Sequence, residues 1–167
     1  MPWTTPETFT AGQTLTAASM NIVSDDLRHL YDNLPKGRLG SESSTSISQS
    51  TSSSGLDLTG MTVTFTAEAS RWYKVELLVP RLAKPASTQA HLSINEGATI
   101  LNRIFFDSAT VADYVQGAYV MYVAQFSAGS HTVKGVFGTA GGVGSVTAQS
   151  NGYRVTIAVY DLGTGAA

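Results

Sequence analysis

Residues 61–68 read Met61-Thr62-Val63-Thr64-Phe65-Thr66-Ala67-Glu68. Apolar residues alternate with polar ones, mostly threonines, over the whole run. A period of two places one set against a core and the other in water, so the stretch reads as a half-buried β-strand. Working outward, the same pattern recurs. Residues 71–79 form a second strand, stopped by Pro80. Residues 90–94 form a third, and Asn95-Glu96-Gly97 turns toward a fourth over 98–106. Further strands are expected at 117–126, 132–137, 145–149 and 152–162, the last alternating Tyr153, Val155, Ile157 and Val159. Eight strands with regular turns and no helix between them predict an antiparallel β-sandwich or barrel, not a parallel sheet.

Upstream of this body the pattern changes. Residues 41–54 (SESSTSISQSTSSS) contain eleven Ser or Thr among fourteen, a composition unable to form a core. Residues 38–57 are therefore expected to be a linker. Serine tracts also occur in extended strands lying along a neighbour, and Ile47 is the only apolar residue suited to that. The expected division is an arm and helix over 1–37, the linker 38–57 and a β domain over 58–167.

Residues 16–34 predict the one helix. Thr16 can cap its start, and Pro35 and Gly37 end it. Met20, Val23, Leu27, Leu30 and Leu34 are spaced 3, 4, 3, 4, which is a heptad seam. Such a stripe either lies on its own body or joins copies of the chain. The polar linker favours the second. Before the helix, Trp3 and Phe9 sit among prolines and threonines and read as aromatic anchors of an extended arm.

Charged residues make up 13% of the 167, against roughly 25% in average globular proteins. Hydroxyls and amides wet the surface instead, which suits a crowded assembly. A net charge of -2 with scattered Lys and Arg offers no patch for nucleic acid or anionic membranes. No run is long enough and apolar enough to span a bilayer. The start lacks the pattern of a secretory signal, so a product made in a host cytoplasm is expected.

Candidate chemistry is sparse. There is no cysteine, and His29, His91 and His131 lack metal-ligand spacing. Glu68, Glu76, Asp107 and Asp113 would need to pair across one cleft for glycosidase work. The glycine-rich run 138–144 lacks the Gly-Lys-Ser/Thr ending of a phosphate loop. No G-x-S-x-G elbow occurs. The expectation is a protein that is not an enzyme, with no cofactor and no metal. Tyr114, Tyr119 and Tyr122 are the candidate partner or ligand surface, since tyrosine is amphipathic and common where a β surface meets a protein or a sugar.

Two resemblances add to this. Residues 3–34, through Trp3-Thr4-Thr5-Pro6, the run Phe9-Thr10-Ala11-Gly12-Gln13-Thr14-Leu15-Thr16-Ala17-Ala18-Ser19-Met20-Asn21 and then Ser24-Asp25-Asp26-Leu27, resemble the N-terminal segment of many tailed-bacteriophage virion structural proteins. There a T-x-T-A-G-x-x-L-T-A-A-x-x-N run precedes a helix of R-D-N-L type, whose arginine is replaced here. The resemblance implies attachment or trimerisation, on a head decoration, head fibre, minor tail or tail fibre protein. The second rests on Ala69-Ser70-Arg71-Trp72-Tyr73-Lys74-Val75, on Phe126-Ser127-Ala128-Gly129-Ser130-His131-Thr132-Val133 and on Tyr153-Arg154-Val155-Thr156-Ile157. These are similar to the trimeric jelly-roll heads of the C1q and tumour necrosis factor type, with Trp72-Tyr73 where those have Gly-Tyr. Together the resemblances imply a homotrimer in a virion, partnered by other capsid or tail proteins. A tail-fibre module binding host-surface glycan is the alternative.

Overall fold

The computed structural model describes residue 12, residue 14 and residues 16–85, 88–106, 113–140 and 145–165; for 113–116 it describes the backbone alone. Trp3, Phe9, Asp107 and the side chains of Asp113 and Tyr114 lie outside the described residues.

The chain is mainly β, with one helix, α1 (Ala17–Asn33), ahead of ten strands. These are β1 (Gly37–Ser44), β2 (Ser48–Thr51), β3 (Leu56–Ala67), β4 (Trp72–Lys84), β5 (Ala90–Glu96), β6 (Thr99–Phe106), β7 (Asp113–Gln125), β8 (Gly129–Thr139), β9 (Val146–Gln149) and β10 (Val155–Gly163). All pairings are antiparallel. One sheet has β7 on β4, then β10 and β9 end to end on the other side of β4, then β1 on β10 and β2 on β9. The second runs β3-β8-β5-β6.

Counted as two broken strands, β1/β2 and β9/β10 make the pairing nested: first with last, β3 with β8, β4 with β7, β5 with β6. That is a long hairpin rolled into two facing sheets, the jelly roll. The alternation read in 61–68 holds. Met61, Val63, Phe65 and Ala67 are buried and the threonines between them exposed. Each fully buried large apolar side chain contributes roughly 1.5–3 kcal/mol. At one end Phe65, Tyr73, Phe126 and His131 close the core, with ring centroids 5.0–5.9 Å apart.

Two expectations are corrected. Residues 38–57 are not a linker. They carry β1, β2 and the start of β3, and the first two edge the sheet. Ile47 makes this work: it drops into the core at the break between β1 and β2, 7% exposed. Ser150 fixes the break, its N–H donating to the Ile47 carbonyl (2.9 Å) and its hydroxyl to the Thr45 carbonyl (2.6 Å). Serines fit an edge because their hydroxyls bond neighbours or water, so the strand needs no apolar outer face.

Pro80 does not stop β4. On one side it falls in the gap between β10, whose pairing ends at Leu78, and β9, whose pairing begins at Arg81. On the other it faces Gly117, which bends β7 at φ +67°. No neighbour asks Pro80 for the N–H it lacks.

Candidate functional site

α1 is built as its sequence predicts. Thr16 accepts from the Ser19 N–H at 3.2 Å, an N-cap that satisfies one orphan donor. Beyond this, Ser19 is the helix's one buried residue. Met20, Val23, Leu27 and Leu30, with the C-capping Leu34, are 55%, 47%, 61%, 40% and 56% exposed, and Tyr31 beside them is 72% exposed. The heptad seam therefore faces solvent and not the sandwich.

The root of the helix is the opposite case. An α-helix ends with four carbonyls unpaired and a partial negative charge. The last turn of α1 carries no basic residue; the β body supplies one. Arg71, ahead of β4, donates from Nη2 to the Leu34 carbonyl at 2.6 Å and from Nη1 to the Asp32 carbonyl. The same guanidinium holds Asp161 of β10 in a two-pronged pair, Nε to Oδ2 at 2.7 Å and Nη2 to Oδ1 at 2.8 Å. Both side chains are 2% exposed.

Asp161 is otherwise satisfied by the Gly163 N–H at 2.7 Å and the Lys36 N–H at 3.4 Å. Burial alone would raise its pKa. The Arg71 guanidinium and these backbone donors outweigh that and hold the carboxyl below the usual range. Around the pair, the Thr164 hydroxyl donates to Asn33 Oδ1 (2.8 Å) and its N–H to the Asn33 carbonyl (3.3 Å). Lys36 Nζ meets Glu68 Oε1 at 2.6 Å. The helix is thus clamped at its root and bare along its stripe. Such an element presents an apolar face in a fixed direction.

The other candidates separate. Tyr119 lies on the outer face of the β4–β7 sheet, 45% exposed, beside Leu78, Met121 and Val123. Its hydroxyl donates to Glu76 Oε2 at 3.1 Å, which Lys74 also meets at 3.0 Å. Lys74 Nζ sits 4.4 Å from the Tyr160 ring. Tyr122 points the other way, its ring 6.1 Å from Phe126 against the core. The two tyrosines do not share a face. Glu68 serves the helix root and Glu76 the outer sheet face.

His91 and His131 stay apart. His91 is buried beside Phe105 near Gly138, its two ring nitrogens without a hydrogen-bond partner. Burial, and secondarily the Arg103 charge, pushes it down to about 4. His131 rims the core at the other end of β8. Its Nδ1 is 2.7 Å from Glu96 and its Nε2 2.8 Å from the Ser127 carbonyl. Among the described residues, no three His, Asp or Glu side chains gather where a metal could be held.

Arg71 and Asp161 escaped the reading of the sequence as site residues. The signal was present for Asp161. Alternation through Val155, Ile157 and Val159 puts Asp161 on the buried face, and a buried carboxylate needs a cation. Nothing local names Arg71 as that cation, ninety residues away.

No family model matches the chain, and no curated protein matches it. Similar solved structures include the insecticidal delta-endotoxin Cry8Ea1 of Bacillus thuringiensis, 15% identical, over 72% of this chain and 19% of that one, with a TM-score of 0.32. The enzymatically active domain of tailspike protein 4 of bacteriophage CBA120 is 10% identical over 70% of this chain and 19% of that one, TM-score 0.28. The VP2 subviral particle of infectious bursal disease virus is 11% identical over 76% and 38%, TM-score 0.24. The chain spans well under half of each, and likeness this slight says nothing of its role.

Proposed function

We propose that this protein is a structural component of a tailed-phage particle, attached through α1 and the residues before it, with the jelly roll projecting. One observation carries the reading: an apolar stripe left bare on a helix whose root is clamped to the β body. Exposed apolar patches of this kind mark contacts with other proteins, and the clamp removes the freedom that would let the stripe fold back. The resemblance of residues 3–34 to the N-terminal segment of tailed-phage virion proteins supports the partner class, and the charge-poor surface suits dense packing. The sugar-binding alternative has less behind it, since Tyr119 and Tyr122 face opposite ways and Tyr119 is already engaged by Glu76.

Protein mass spectrometry of purified particles from a phage carrying this gene tests the reading. Recovery of the chain at many copies per particle is expected. Its absence from particles that contain their other structural proteins overturns it.

A further inference from the structure

We propose that the outer face of β8, β5 and β6 binds a carboxylate, held by Arg103, Ser93 and His91. The site belongs to the β body and owes nothing to attachment through α1.

Alternation splits the residues of β5 between two faces. Ala90, Leu92 and Ile94 line the core, so His91, Ser93 and Asn95 face away from it. An outward face is ordinarily wet, yet these three are 1%, 0% and 9% exposed. Register sets their neighbours on the flanking strands. His91 lies between Gly138 and Phe105, Ser93 between Val136 and Arg103, and Asn95 between Lys134 and Ile100. The Arg103 guanidinium sits 5.8 Å from the Phe105 ring, and Phe105 sits 5.9 Å from His91. Both His91 ring nitrogens, Ser93 Oγ, Asn95 Oδ1 and Arg103 Nε are buried without a hydrogen-bond partner. Buried polar atoms are nearly always partnered. Orphans gathered on three adjacent rungs of one face therefore call for a polar ligand.

Charge selects the sign of that ligand. On the strands around Arg103, Asp57 is taken by Lys134 at 2.7 Å and Glu96 by His131 at 2.7 Å. Among the described residues no carboxylate pairs Arg103. One uncompensated guanidinium calls for one negative charge; a carboxylate brings one, a phosphate dianion two. His91 adds no second positive charge, because burial and then the Arg103 charge beside it push its pKa down to about 4. Shape agrees. A planar guanidinium grips two coplanar oxygens in a fork, through Nε and one Nη. Ser93 adds an O–H and neutral His91 an N–H, so the set facing the oxygens is all donors. Arg103 is half-buried, so a carboxylate meets its guanidinium from solvent, and rotation of that long side chain off the sheet uncovers Ser93 opposite it. Asn95 Oδ1 is an acceptor, about 7 Å along the strand from Ser93, and takes an N–H of the ligand. Exposed Phe105 and Ile100 flank the face and suit the carbon skeleton behind the carboxylate.

Histidine side-chain NMR of the purified full chain tests this, with the His91 signal assigned from its loss in His91→Leu. Sodium acetate is expected to shift that signal saturably, with half-saturation on the order of 10 mM for so small a ligand. The His29 and His131 signals are expected to stay in place, as is His91 in sodium chloride of equal ionic strength. Arg103→Gln is expected to weaken acetate about tenfold and Ser93→Ala about threefold, each variant keeping a cooperative thermal transition. The α-amide of N-acetylaspartate, which carries an N–H for Asn95, separates two sources of the carboxylate. Binding about tenfold tighter than acetate, with the gain lost in Asn95→Leu, assigns the site to an acidic side chain of a protein. Equal binding assigns it to a free carboxylate. An acetate response that never saturates, an equal response to chloride, or undiminished binding by either Arg103→Gln or Ser93→Ala overturns the proposal.

Discussion

At Arg71 a single guanidinium pairs a buried carboxylate and ends a helix. Removing either partner leaves a buried charge, so Arg71→Met or Asp161→Asn is expected to destabilise the fold by about 3–5 kcal/mol in urea denaturation. Among the described residues, Asp161, His91 and His131 each help shape the pH profile. Asp161 has a lowered folded pKa, so its contribution is present above about pH 4 and is lost as pH falls below it. His91 is also lowered. The unfolded state takes up its proton first, and stability is lost as pH falls from about 6.5 toward 4. Burial alone would lower His131 too, but the Glu96 carboxylate and the Ser127 carbonyl outweigh it and the pKa is raised. Both its ring nitrogens face acceptors, which fits the imidazolium. Its contribution is full below about 6.5 and is lost as pH rises through the folded value. Urea midpoints measured from pH 4 to 9 are expected to peak near pH 6.5. His91→Leu flattens the acid side, and it raises stability by about 1 kcal/mol because two unsatisfied nitrogens are removed. His131→Gln flattens the alkaline side.

At the scale of elements, α1 and its clamp meet at Gly163. Its φ is +84°, and a Cβ there would stand 2.6 Å from the Asn33 carbonyl oxygen. Gly163→Ala is expected to push the helix root off the body, seen as faster amide exchange across residues 30–34 with the β core still protected. The helix was legible because its cap, stripe and stop signals are all local. The eight strands of residues 56–163 were legible from alternation, though Pro80 misled because its missing N–H falls where neither neighbouring strand needs one. β1 and β2 were not legible as strands: an edge strand of serines shows no apolar period, and its one core contact is Ile47. Ile47→Ala tests that contact. It is expected to cost about 2 kcal/mol by urea titration, where a true linker would lose nothing.

Across the whole molecule, the nested order makes nearly every pairing non-local. β1 waits for β10, more than a hundred residues later, before it can bond. Loop closure of that length precedes any reward, so refolding is expected in the milliseconds-to-seconds range or slower by stopped-flow fluorescence, with Trp72 as reporter. The sandwich was readable because facing sheets follow from alternation and turn spacing. The clamp was not, because it joins positions 32, 34, 71 and 161, and only the roll brings those together.

The first-with-last pairing also sets a load path. If α1 is held fast and the far end of the jelly roll is tugged, tension enters at Lys36 and runs along β1. The register from Gly37 opposite Asp161 to Ser44 opposite Val155 then bears the pull sideways, many hydrogen bonds at once, instead of peeling one at a time. Ahead of those bonds stands the grip of Arg71 on the carbonyls of Asp32 and Leu34. The joint resists a drag along its length far better than a twist that opens β1 from its free edge, the behaviour of a mooring and not of a hinge.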